Sequence, residues 1–173
     1  MCDKRSWTPR AVDQPERALS EAEVAQVIDG AYWQVAPATG AQLAVVYTGA
    51  IAAEALEAFE QIREDVPGAG LMAVPSPDRL HRGWSSAVAA RAKGEGGSAH
   101  IERLLAALAP GARLVTVIDG PPATLSWIGG VRGDRVVPLG VDHFGQSGDV
   151  QDLYRAYGLD VEAILDAAAA ALE

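Results

Sequence analysis

The chain has 173 residues, 49% hydrophobic, 21% charged and 6% aromatic, with a formal net charge of −9. Its apolar content can offset the ordering entropy of one domain, which excludes a disordered chain, and no apolar run approaches the roughly 20 residues that a membrane-spanning helix needs. The acidic balance, with arginines scattered among acidic neighbours, excludes nucleic acid as a partner, because phosphate binding needs clustered Lys and Arg.

Residues 1–20 read as a linker or tail, since two prolines, seven charges and few aliphatics form no core element. Residues 21–173 read as one domain. Ser20 before Glu21 and Glu23 is a helix start, with a capping hydroxyl and two carboxylates at the positive end of the dipole. Gly30 ends that helix. Residues 31–36 predict a short strand, and 42–48, an almost continuous apolar run between Gly40 and Gly49, predicts a strand covered on both faces.

A helix follows, with Ala52, Ala55, Leu56, Phe59 and Ile62 at i, i+3, i+4 spacing and Pro67-Gly68 as its stop. Residues 70–74 predict a strand. Residues 78–92 suggest a broken helical stretch, 93–98 a flexible loop, and 99–109 a helix ended by Pro110 and Gly111. A third core strand is expected over 113–118, then turn, helix and turn over 119–133, then a strand over 136–141. A helix over 149–157 closes at Gly158. Asp160 caps a last helix whose expected buried stripe is Val161, Ile164, Leu165, Ala168 and Leu172. Strand and helix alternate, which predicts an α/β protein with a mostly parallel sheet and helices on both faces. There is no internal repeat.

The richest segment for chemistry is 140–158, a strand running through a Gly-rich turn into a helix. Ligands of open parallel sheets lie outside the C-terminal ends of strands. His143, Gln146, Ser147 and Asp149 supply a base, donors and an anion there, and a helix start offers amides to an anionic group. A hydrolase would use Ser147 as nucleophile with His143. The nucleophile elbow needs G-x-S-x-G, however, and residues 145–149 lack the last glycine. The plainer reading is that Ser147 or Asp149 caps the helix.

Residues 119–122 (Asp-Gly-Pro-Pro) lack the glycines and amides of a phosphate loop. His81, His100 and His143 show no metal-ligand spacing, and the single cysteine, Cys2, can form neither an internal disulfide nor a Cys-based zinc site. Trp33, Trp84 and Trp127 sit in or beside apolar elements and predict core or interface packing. Arg79, Arg82 and Arg132 could meet an anionic ligand or form surface ion pairs. The first 20 residues lack the apolar core of a signal peptide, so a cytoplasmic location is expected.

Three runs carry a family resemblance: 78–80 (Asp-Arg-Leu), the strand 114–119 (LVTVID) and, above all, 140–149 (GVDHFGQSGD). Together they resemble the C-terminal domain of transketolase-like thiamine diphosphate enzymes. The continuation 152–160 (DLYRAYGLD) looks closest to the homodimeric type of pyruvate dehydrogenase first component. The resemblance covers about 20–173, and residues 5–20 resemble the linker that follows the pyrimidine-binding domain.

It implies a three-layer α/β/α domain with a five-stranded mixed sheet whose first strand is antiparallel. It also implies a parent enzyme that uses thiamine diphosphate and Mg2+, held on other domains by a G-D-G motif and a later N-N pair. This chain has no asparagine, and both its Asp-Gly pairs, Asp29-Gly30 and Asp119-Gly120, follow isoleucine. The resemblance therefore implies a structural domain that binds no cofactor or metal itself and is inactive alone, as a piece of a longer enzyme or as a split subunit. Its expected partners are the thiamine-binding domains and further copies of the enzyme. The His143–Asp149 turn would lie near the substrate entrance. Pyruvate, another 2-oxoacid and a ketose phosphate all remain open as substrates, as do a small hydrolase and an anion-binding module as other functions.

Overall fold

A computed structural model describes residues 18–143 and 148–173. Ser20 accepts a hydrogen bond from the amide of Glu23, whose carboxylate in turn accepts from the Ser20 amide, a reciprocal capping box that starts α1 (Glu21–Asp29). Gly30 ends it in the left-handed region at φ 108°. A Cβ there would lie 2.8 Å from the Ser76 carbonyl, so only glycine lets the chain pass this close. Of the expected 1–20 linker, only residues 18–20 are described.

The strands are β1 (Tyr32–Val35), β2 (Ala41–Thr48), β3 (Gly70–Ala73), β4 (Leu108–Ile118) and β5 (Arg135–Leu139). They form one sheet in the order β1-β3-β2-β4-β5, with β1 antiparallel to β3 and every other pair parallel. The expected α/β/α architecture with an antiparallel first strand is what forms. Alternate residues of the central strands feed two cores. Leu43, Val45, Tyr47, Leu71, Val115 and Val117 meet α2 (Ala52–Asp65) and α7 (Val161–Leu172). Ala44, Val46, Met72, Leu114 and Ile118 meet α3 (Pro77–Ala92) and α4 (His100–Leu105). That two-sided burial is why β2 reads as an almost unbroken apolar run.

Three local expectations are corrected. The stretch 78–92 is one continuous helix, α3, begun by Pro77 in its first turn. Gly83 does not break it, because one glycine in a helix costs only about 1 kcal/mol. The helix expected over 99–109 stops at Leu105, and β4 already begins at Leu108. Leu108 pairs with Ala41 and Arg113 with Leu43, so Pro110 and Gly111 occupy an irregularity in β4 rather than a helix stop. The buried stripe of α7 is Ile164, Ala167, Ala168 and Ala171, while Leu172 is 42% exposed. The alanines are buried in the core that α7 shares with α2, and Val161 and Leu165 are partly buried against it.

The remaining helices are α5 (Ala123–Ser126), continued by a 3-10 turn over Trp127–Val131, and α6 (Val150–Ala156). Among the described residues no helix is long and apolar enough to cross a membrane.

Candidate functional site

The C-terminal ends of β4 and β5 form a cleft of about 480 Å3, lined by Asp119, Gly120, Pro121, Val141, Asp142 and His143. The two exit turns are strapped together. The Val141 amide donates to the Gly120 carbonyl at 2.9 Å. A Cβ on Gly140 would lie 2.6 Å from that same carbonyl oxygen, so glycine is required for the approach. Tyr154, on α6, is buried and donates its hydroxyl to Asp119 Oδ2 at 3.1 Å, which joins α6 to the end of β4. The cleft thus has an apolar floor and a rim of two carboxylates and an imidazole.

His143 is exposed, and its Nδ1 lies in hydrogen-bond contact with Asp142 Oδ1. Its ring sits 5.2 Å from that of Tyr157 at an interplanar angle of 57°. A carboxylate beside Nδ1 orients the imidazole and leaves Nε2 for proton exchange toward solvent or a docked group. Asp149 caps α6 by accepting from the Gln151 amide at 3.0 Å. That carboxylate already occupies the end of the helix where an anion would approach. Gln146 and Ser147, and with them the Ser147–His143 pairing, lie outside the described residues.

The other candidates lie elsewhere. His100 accepts a structural role: its Nε2 contacts the Ala31 carbonyl at 2.7 Å, and its Nδ1 lies 3.9 Å from Asp29. Arg79 donates to the Ile28 carbonyl at 3.0 Å, and Arg82 lies 3.7 Å from Asp78. Arg132 donates to the carbonyls of Leu105, Leu108 and Ala109, and its Nε lies 3.6 Å from the buried Asp134 carboxylate. It clamps the α4–β4 turn. Sequence reasoning missed this clamp because no local pattern announces a guanidinium that serves carbonyls more than 20 residues away.

The tryptophans pack as expected beside the core. Trp84 and Trp127 stack with centroids 5.2 Å apart, and His81 sits edge-on to both. Trp33 donates to the Leu104 carbonyl at 3.2 Å.

One pair away from the cleft, Arg91 and Glu102, has shifted ionisations. A bidentate hydrogen bond from Arg91 holds the Glu102 carboxyl below its ordinary range, and Glu102 in turn raises the Arg91 guanidinium.

The chain has no asparagine, and among the described residues no group of three His, Cys, Asp or Glu could hold a metal ion. Asp29-Gly30 is a helix end, and the Asp119 carboxylate is engaged by Tyr154.

No protein-family model and no curated protein sequence matches the chain. Solved structures do. A transketolase from Leishmania mexicana is 18% identical with a TM-score of 0.61, covering 86% of this chain and 18% of that one. A split gene transketolase, described as an inactive beta4 tetramer, is 19% identical with a TM-score of 0.60, covering 94% of this chain and 46% of that one. A transketolase from Campylobacter jejuni is 18% identical with a TM-score of 0.56, covering 81% of this chain and 18% of that one. The chain spans less than half the length of each of these proteins. At such identities the likeness establishes architecture. The chain has a transketolase C-terminal-like fold, a five-stranded mixed sheet with flanking helices.

Proposed function

We propose that the chain is the C-terminal assembly domain of a thiamine diphosphate-dependent enzyme, a scaffold for domains that carry the cofactor rather than a catalyst itself. The observation that carries this reading is the match over 94% of the chain to a split gene transketolase described as an inactive beta4 tetramer. The sequence has no asparagine, which the resembled family's metal–diphosphate motif uses, and this supports a scaffold role. The continuation 152–160 favours a 2-oxoacid dehydrogenase of the homodimeric pyruvate dehydrogenase type over a transketolase proper. The partners are the thiamine-binding domains, in the same polypeptide or on a separate subunit, and further copies of the enzyme. A lone cysteine suits a reducing cytoplasm.

In this reading the cleft at Asp119, Val141 and His143 faces the substrate entrance that the partner domains complete. The chain's contribution there is positional: the Tyr154–Asp119 bond and the strapped turns hold the rim, and His143 presents an oriented imidazole.

The test is reconstitution. The purified chain is mixed with the thiamine-binding domains of a pyruvate dehydrogenase first component or a transketolase, with thiamine diphosphate and Mg2+. Decarboxylation of pyruvate and ketol transfer are then measured. The chain alone is expected to be inactive and the mixture to turn over pyruvate. Tight cofactor uptake or turnover by the chain alone would overturn the scaffold role.

A further inference from the structure

The C-terminal parts of α2 and α7 leave a groove between them of about 380 Å3. Leu43, Ile62 and Ala168, all buried, line it together with the partly buried Val66 and Leu165. Leu172, 42% exposed, lines it too. Asp65 on α2 and Asp166 on α7 put one carboxylate on each wall, and no basic side chain is among the described residues of the lining. A groove of this size and apolar character suits one large side chain with polar groups at its edges.

Both carboxylates are available. No hydrogen bond or ion pair joins Asp65 or Asp166 to any other group among the described residues. The cleft at β4 and β5 differs, since Asp119 there accepts from Tyr154 and Asp142 contacts His143. Asp65 is also the last residue of α2, at the negative end of the helix dipole, and α7 has no base in its last turn. An apolar floor between two such carboxylates fits a large apolar residue flanked on both sides by bases.

The chain carries that pattern outside the described residues. Residues 4–10 (Lys-Arg-Ser-Trp-Thr-Pro-Arg) hold three bases, no acid and one indole, whereas the rest of the chain has eleven bases against twenty-three acids. At full extension Lys4 and Arg10 stand about 10 Å to either side of Trp7. Eleven residue steps separate Trp7 from Ala18, the first described residue, and span up to about 36 Å. A domain of this size has a radius of gyration of about 15 Å, so the groove is within reach.

We infer that residues 4–10 dock in the α2–α7 groove of their own chain, with Trp7 against Leu43, Ile62 and Leu172 and the flanking bases paired to Asp65 and Asp166. Seating the indole removes apolar surface on both sides from water, at the ordering cost of only two side-chain torsions. The segment leading into the domain is thereby fixed to the α2–α7 layer. The inference needs no partner domain and stands apart from the scaffold role.

The test uses the single cysteine, Cys2, which takes a nitroxide label in the full chain without any substitution. Paramagnetic broadening of backbone amides is read by NMR, with amide dispersion to establish folding of every variant. The amides of Gln61, Asp65, Asp166 and Ala169 are expected to broaden, and those of Ser85 and Ser86 on α3 are expected to stay sharp. Trp7→Ala is expected to lose the groove broadening. Reversing the groove with Asp65→Lys and Asp166→Lys, or the segment with Lys4→Glu, Arg5→Glu and Arg10→Glu, is expected to lose it likewise. Combining both reversals in one chain is expected to restore it, which neither misfolding nor a general attraction to an acidic surface would do.

Broadening on another face, broadening that survives Trp7→Ala or either reversal, or failure of the combined variant to recover it would each overturn the docking. A nitroxide-bearing chain without isotope is also mixed with an isotope-labelled chain without nitroxide. Groove broadening in that mixture would come from a second copy and would overturn docking within one chain.

Discussion

The Tyr154 hydroxyl reaches across from α6 to Asp119 at the end of β4, 35 residues earlier in the chain, and closes one wall of the cleft with a 3.1 Å hydrogen bond. Tyr154 is itself 5% exposed, so the bond is made at the edge of the core and not in open water. It couples α6 to the exit of β4.

Removing that hydroxyl alone tests the coupling. Tyr154→Phe keeps the buried ring and loses the bond, an expected cost of about 1 kcal/mol in urea denaturation with an unchanged slope. Amide exchange in α6 is expected to quicken more than in β2, because the lost bond anchors α6 locally. Equal protection in α6 before and after would show that the bond does not position the helix.

Arg132 and Asp134 are expected to behave as a pair. The Asp134 side chain is fully buried, and Arg132, 21% exposed, is its cation. Arg132→Met strips three carbonyls of their donor and leaves a buried carboxylate uncompensated, with an expected loss of about 3 kcal/mol. Adding Asp134→Leu is expected to recover part of that loss, since the unpaired charge is gone. Thermal unfolding of the single and double variants measures the difference. A double variant less stable than Arg132→Met would contradict the pairing.

Gly30 tests the close passage between α1 and α3. At φ 108°, with a Cβ 2.8 Å from the Ser76 carbonyl, Gly30→Ala meets both backbone strain and a clash. The expected destabilisation is about 1–3 kcal/mol by chemical denaturation. Gly40→Ala is the control, because its φ of 78° carries the same backbone preference but nothing lies within 4 Å of its Cβ. It is expected to lose less. Equal losses would assign the whole effect to φ.

The Arg91–Glu102 pair gives a direction with pH. The hydrogen bond from Arg91 lowers the Glu102 carboxyl in the folded chain. Its stabilising contribution is therefore complete above the ordinary glutamate value of about 4.3, and fades as pH falls through the lower folded value. Glu102→Gln is expected to reduce stability at neutral pH. The gap between variant and wild type is expected to close at the acid end of the titration. Glu102 also accepts from the Ala99 amide at 2.7 Å, so the acid limb reports the start of α4 as well as the ion pair. A constant difference across the range would place the loss in packing.

Local pattern was sufficient where one segment answers to its own neighbours. Ser20 with Glu23 announces α1, and the apolar run at 42–48 announces a strand buried on both faces. Asp149 and Asp160 read as caps because a short carboxylate before a helix has nearby amides to accept from. The alternation of these elements is enough to imply a parallel sheet with helices on both sides, and the first strand's antiparallel pairing came with the family resemblance. Packing between distant segments settled the rest. Leu108 joins β4 because Ala41 lies beside it, overriding a local pattern that favours helix through 109. In α7 the buried stripe runs through Ala167, Ala168 and Ala171 and leaves Leu172 exposed, because the packing against distant segments, not the local periodicity, sets which face is covered. The Arg132 clamp, the Tyr154–Asp119 bond and the Arg79 bond to the Ile28 carbonyl all join residues far apart in the chain, and only the folded backbone brings their partners within reach.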